Sequence, residues 1–128
     1  MTIQKEIVVV QAGPKAIGPY SLGVKAGGLM FTAGQTGVDP ATRQLADGVA
    51  AQARQAITNM RTILEAAGLS LAHVVKTTVF LQDIRDFAVF NEVYASFFAG
   101  DYPARSTVQV AALPGGAAIE IESIAVLP

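Results

Sequence analysis

The sequence predicts an α+β fold, a mixed β-sheet with two helices packed on one face, in one domain spanning residues 1–128. Three observations lead there. Two segments repeat their apolar residues at spacings of three and four, the period of a half-buried helix. Several separate runs are rich in β-branched residues and bounded by Gly, Pro and Asp, the signature of strands. Two helices cannot cover both faces of so wide a sheet, so they belong on one face and leave the other for contacts between subunits.

Taken in order, Ile3–Val10 is rich in Ile and Val and reads as a strand. Gly13-Pro14 and Gly18-Pro19 punctuate an irregular stretch that ends at Tyr20 and Ser21. Leu29–Ala33 is a second strand or hairpin arm, and Gly34–Thr42 carries the Gly and Asp-Pro of a turn. Val49, Ala53, Ala56, Ile57, Met60, Ile63, Leu64 and Ala67 then form one helical stripe, with Asp47 as N-cap and Gly68 as the C-terminal stop. Val74–Leu81 alternates as a strand. Asp83 or Asp86 caps a second helix with a stripe of Phe87, Phe90, Tyr94, Phe97 and Phe98, stopped by Gly100 and Pro103. Ser106–Val110 and Ala118–Val126 are the last strands, and Leu113-Pro114-Gly115-Gly116 between them suggests an antiparallel hairpin. The order is β-β-α-β-α-β-β.

Composition excludes several classes. Apolar residues make up 52% of the 128 positions and charged residues 15%, ample material to offset the ordering entropy of one core. No apolar run exceeds four residues, whereas a spanning helix needs about twenty. Nine Lys and Arg against ten Asp and Glu give a net charge of −1, the wrong balance for a phosphate-gripping surface, so no nucleic-acid partner is expected. Zero cysteines exclude disulfides, thiolate metal sites and a thiol nucleophile. No signal peptide is visible, and a cytoplasmic protein is expected. Sparse charge and a mean hydropathy of +0.44 point to an oligomer whose apolar surface is covered by identical subunits.

Few residues could carry chemistry. His73 is the only histidine, which rules out a His-rich metal site and a two-histidine acid–base pair; a structural or exposed role is expected. No phosphate-binding glycine loop and no Gly-x-Ser-x-Gly elbow occur. Arg105 begins a strand and offers a planar fork for a carboxylate, or else pairs with a local acid at the surface. Glu120 and Glu122, two apart, share one strand face. That face is a solvated sheet edge, or it holds a water for attack on an electrophilic carbon. Residues 105 and 120 are nearly symmetric about the turn at 113–115, which would bring them together across the expected hairpin. Tyr20 follows the Gly18-Pro19 constraint and is either a packing aromatic or part of a site.

Ala16-Ile17-Gly18-Pro19-Tyr20-Ser21, Thr32-Ala33-Gly34-Gln35, Gln52-Ala53-Arg54-Gln55-Ala56 and Val75-Lys76-Thr77-Thr78-Val79-Phe80-Leu81 resemble motifs of the RidA/YjgF (Rid) family. So do Pro103-Ala104-Arg105-Ser106-Thr107-Val108 and Ile119-Glu120-Ile121-Glu122-Ser123-Ile124-Ala125, and the matches cover the chain in order. The resemblance implies a chorismate-mutase-like fold and a homotrimer with three clefts between subunits. It implies hydrolytic deamination of reactive 2-imino acids and their enamines, such as 2-aminoacrylate, to 2-oxo acids and ammonia. Such intermediates are released by pyridoxal-phosphate enzymes, an expected functional link.

By the same resemblance Arg105 holds the substrate carboxylate, Glu120 positions water and Tyr20 lines the cleft, with Gly34, Asn91 and Thr107 as further substrate-binding positions. No cofactor and no metal are implied. Thr107 stands where many members carry cysteine, and Ala33 where many carry serine. The competing classes are an endoribonuclease or translation inhibitor, and a non-catalytic small-molecule-binding or chaperone-like trimer. A pure carboxylate binder would need only the arginine, so Glu120 favours the enzyme.

Overall fold

The computed structural model describes residues 4–128. Its elements are β1 (Glu6–Val8), β2 (Gly23–Ala26), β3 (Leu29–Thr36), α1 (Val49–Ala66), β4 (Val74–Leu81), α2 (Phe87–Phe97), β5 (Ala104–Gln109) and β6 (Ile119–Val126). The strands form one sheet in the order β1-β2-β3-β6-β4-β5, antiparallel throughout except for the parallel pair β4–β5. The mixed α+β architecture expected from the sequence is therefore present.

Alternation along β6 decides which face is covered. Ile119, Ile121, Ser123 and Ala125 are buried, whereas Glu120, Glu122, Ile124 and Val126 are part-buried or exposed. The buried set joins Met30 of β3 with Ile57, Met60, Ile63 and Leu64 of α1 and Phe90 and Tyr94 of α2 in one core. Both helices thus lie on the same side of the sheet. Phe31, Val108 and Val126, facing the other way, remain exposed.

Five expectations need correction, four of them local. The N-cap of α1 is Gly48, at φ 88°, a conformation open to glycine and not to Asp47. β2 was not anticipated, because Gly23–Ala26 is short and only half-buried. β1 is shorter than Ile3–Val10, and Ile3 lies outside the described residues. β3 runs on through Gly34 to Thr36, where turn chemistry was expected. It does so through an irregularity between Thr32 and Gln35, which advance three residues while their partners Ser123 and Ile121 advance two.

The largest correction concerns the last two strands. β5 and β6 form no hairpin: β6 inserts between β3 and β4, and β5 lies outside β4. Residues 110–118 are too long a connection for a tight hairpin and carry the chain across β4. Burial explains the preference. Thr77, Val79 and Leu81 of β4 are fully buried and need a partner strand on each side, while the mostly exposed β5 suits an edge.

Candidate functional site

The residues singled out from the sequence fall into two groups on opposite faces of the sheet. Arg105 is in register with Thr77, and Thr77 with Ser123. Ser123 and Glu120 are three positions apart on one regular strand, an odd number, so they point to opposite sides. Arg105 shares the helix side, and Glu120 faces away. The proximity expected from a hairpin does not occur within the chain.

The first group is Tyr20, Gly34 and Glu120. These line a cavity of about 680 Å³ together with Lys15, Ile17, Ala33, Arg43 and Pro114, among others. The Tyr20 loop is tightened by its own bonds: Tyr20 N–H donates to the Gly18 carbonyl at 2.8 Å, and Ile17 N–H donates to the Tyr20 hydroxyl at 3.3 Å. Gly34 sits in the irregular part of β3 beside Glu120. A Cβ at position 34 would stand 2.9 Å from Cδ of Glu120, so glycine is what admits the carboxylate there. Burial raises the Glu120 pKa above the ordinary carboxylate range, and the neighbouring charge of Glu122 raises it further.

The second group is Arg105, Asn91 and Thr107. Arg105 Nη2 donates to Asn91 Oδ1 of α2 at 2.6 Å. The centre of the guanidinium lies 4.7 Å from the ring centroid of Tyr94 and 5.5 Å from those of Phe87 and Phe90. Among the described residues the ion pairs are Lys25–Glu6 and Arg85–Asp83, so the reading of Arg105 as half of a local ion pair is not met. Thr107, two residues along the same strand face, has a buried Oγ1 without a hydrogen-bond partner, a costly state for a hydroxyl. The fork and the hydroxyl thus offer unused hydrogen-bonding capacity side by side.

Aromatic residues of α2 that the sequence assigned to a core stripe prove to surround Arg105. Phe87 is 42% exposed, and its position in the first turn of α2 beside Asn91 was the available signal. His73 is structural, as expected: its Nδ1 accepts from Ser70 N–H at 3.0 Å and closes a short turn before β4. Among the described residues no three of His, Cys, Asp and Glu come together as a metal-ligand set, and no helix is long and apolar enough to cross a membrane.

Comparison with known proteins places this geometry in a family. Residues 10–127 match the family model described as Endoribonuclease L-PSP. The 2-iminobutanoate/2-iminopropanoate deaminase of Salmonella typhimurium is 49% identical over 122 residues, covering 93% of this chain and 95% of that protein. RidA from the Antarctic bacterium Psychrobacter sp. superimposes with a TM-score of 0.92 at 48% identity, over 95% of this chain and 99% of that one. Escherichia coli TdcF with bound serine gives a TM-score of 0.92 at 47% identity, over 96% and 99%. With nearly half its residues shared across almost its whole length, the chain belongs to the endoribonuclease L-PSP family, the RidA/YjgF proteins.

Proposed function

We propose that the protein hydrolyses 2-imino acids and their enamine tautomers to 2-oxo acids and ammonia, in clefts that two subunits of a homotrimer complete together. One observation carries this reading: Arg105 and Glu120, the pair needed for such chemistry, lie on opposite faces of one sheet. A single chain cannot bring both to one substrate. Cyclic assembly that sets the exposed edge strand β5 of one copy beside the Glu120 cavity of the next would do so, and would cover the open sheet face. The names of the relatives, several of them 2-iminobutanoate/2-iminopropanoate deaminases, support the substrate class.

The chemistry asks little of the protein. The substrate carries a carboxylate next to a protonated C=N carbon. The Arg105 fork takes the carboxylate, with Asn91 and Thr107 beside it. Glu120 accepts a proton from water as the oxygen bonds to the imine carbon, giving a carbinolamine. That proton passes from Glu120 to the amine; as the C–N bond breaks, the Glu120 carboxylate takes the hydroxyl proton, and the 2-oxo acid and ammonia leave, the last proton going to ammonia as ammonium. No electron is gained or lost. A carboxyl with a raised pKa suits both halves of this exchange, since it must take the proton and return it. Tyr20 and Gly34 line the Glu120 side, Gly34 leaving room for the carboxylate.

The name endoribonuclease belongs to the family description. The hydrogen bond that His73 makes to Ser70 and the acidic balance of the chain favour the imine over RNA as substrate.

The test is complementation. Arg105→Lys and Glu120→Gln, each severely impaired alone at low imine concentration, are mixed one to one through unfolding and refolding, and 2-oxo acid release is followed while an amino-acid oxidase generates the imine. Random trimers place a wild-type arginine opposite a wild-type glutamate in about a quarter of the clefts, and about a quarter of the activity should return. If the mixture stays as inactive as its parents although trimers form, the shared cleft is wrong.

A further inference from the structure

We propose that Tyr94, tethered by Thr77, is a positioning residue that fixes the Arg105 guanidinium before substrate arrives. This inference rests on the carboxylate-binding reading of Arg105 and adds residues to it. Thr77 is fully buried on β4, between β6 and the edge strand β5, and in register with Arg105. Its Oγ1 and the Tyr94 hydroxyl share a hydrogen bond of 2.8 Å. The Tyr94 ring is the nearest of the three aromatic faces to the Arg105 guanidinium, at 4.7 Å. Its other neighbours, Phe90 and Phe98, lie at centroid distances of 5.5 and 4.7 Å and hold it laterally. The ring therefore has a fixed tilt and cannot slide away from the arginine.

The physical consequence is preorganisation. A free arginine side chain samples many rotamers, and freezing it on binding costs about 0.5–1.5 kcal/mol. Here the Tyr94 ring and Asn91 Oδ1 both hold the fork in place through contacts within the chain itself. No carboxylate of the chain occupies it among the described residues. The cradle is thus uncharged: it restrains the cation and leaves its charge for the ligand. A salt bridge in the same place would restrain the arginine equally well and compete with the substrate. Because the guanidinium keeps the same contact in the ground and transition states, the effect belongs in binding and not in turnover.

The experiment uses three variants of the whole protein, Tyr94→Leu, Tyr94→Phe and Thr77→Val, with Arg105→Lys as reference. Binding of 2-oxobutyrate is measured by calorimetry, KM and kcat by coupled imine hydrolysis. The Nε–Hε resonance of Arg105, identified by its loss in Arg105→Lys, is followed by NMR without ligand. Tyr94→Leu should raise Kd and KM about two- to twelvefold, the freezing cost returned to the binding step, with kcat within about twofold. The Hε resonance should lose its upfield ring-current shift. Tyr94→Phe keeps the ring and drops the tether, and Thr77→Val drops it from the other end. The two should match each other, with smaller rises of about two- to threefold.

Wild-type Kd and an unchanged Hε shift in Tyr94→Leu overturn the proposal. If that variant does not fold, the same two results in Tyr94→Phe overturn it. Should Arg105→Lys itself bind 2-oxobutyrate normally, the carboxylate reading is what fails. A disturbed Hε shift in Tyr94→Leu would then still report a ring that holds the arginine, for another ligand.

Discussion

Gly34 and the Glu120 carboxylate are in such close approach that a single added Cβ would lie 2.9 Å from Cδ and 3.0 Å from Oε1. Gly34→Ala must therefore push the carboxylate aside. The displaced atoms end a flexible side chain that borders a cavity, so the fold should tolerate the change within about 1 kcal/mol. Turnover should fall between about tenfold and a hundredfold, the usual penalty for moving a catalytic group by around an ångström. Thermal unfolding and imine hydrolysis on the same preparation check this; full activity would remove Glu120 from the reaction.

Arg105 and Glu120 should fail differently. Arg105→Lys keeps the charge and loses the fork, and should weaken 2-oxobutyrate binding about ten- to a hundredfold, a loss of about 1.5–3 kcal/mol. Glu120→Gln should bind the same ligand almost normally while kcat falls by about two to four orders of magnitude. Calorimetry and turnover measured side by side separate the roles. Identical behaviour of the two variants would show that the assignment is wrong.

The raised pKa of Glu120 carries a pH signature in both stability and rate. A carboxyl whose folded pKa exceeds its unfolded one binds its proton more tightly in the native state. Stability then falls as pH rises through the window between the two values. Glu120→Gln should be more stable than wild type above that window and equal to it below the ordinary carboxylate range of about 4. Urea unfolding on both sides of the window tests the sign. The acid limb of kcat should lie above the ordinary carboxylate range and move down in Glu122→Gln, since the Glu122 charge is the second cause of the shift. A limb that does not move separates Glu120 from the rate.

Arg43 is the one residue other than glycine with a positive φ, 62°, among the described residues. Its N–H donates to the Asp39 carbonyl at 2.7 Å and closes the turn after β3. A side chain in this conformation is strained, and glycine adopts it freely. Arg43→Gly should stabilise the protein by about 0.5–1 kcal/mol, read as a higher denaturant midpoint at an unchanged slope. A lower midpoint would mean that the Arg43 side chain contributes more than its backbone loses.

What the sequence alone determined is local. The stripe from Val49 to Ala67, the alternation of Val74–Leu81 and Ala118–Val126, and the aromatic stripe of the second helix each follow from side-chain periodicity, which a few consecutive residues suffice to express; the cap of that helix does not, since Asp86 makes no side-chain bond to it and Asp83 caps the short turn before it. The family was also legible, because its motifs are short and contiguous. Strand neighbours were not. Whether β5 pairs with β6 or with β4 depends on which strand is buried on both edges, a property of the whole sheet that no segment encodes. That choice decided the site. A hairpin would have set Arg105 beside Glu120 in one chain; the insertion of β4 between β5 and β6, and the odd spacing of Glu120 from Ser123 along β6, put them on opposite faces. The aromatic cradle of Arg105 escaped notice for the same reason. A stripe of Phe and Tyr has one period whether it packs on aliphatic neighbours or on a guanidinium, and only the register of Thr77 with Arg105 brings the cation over the rings.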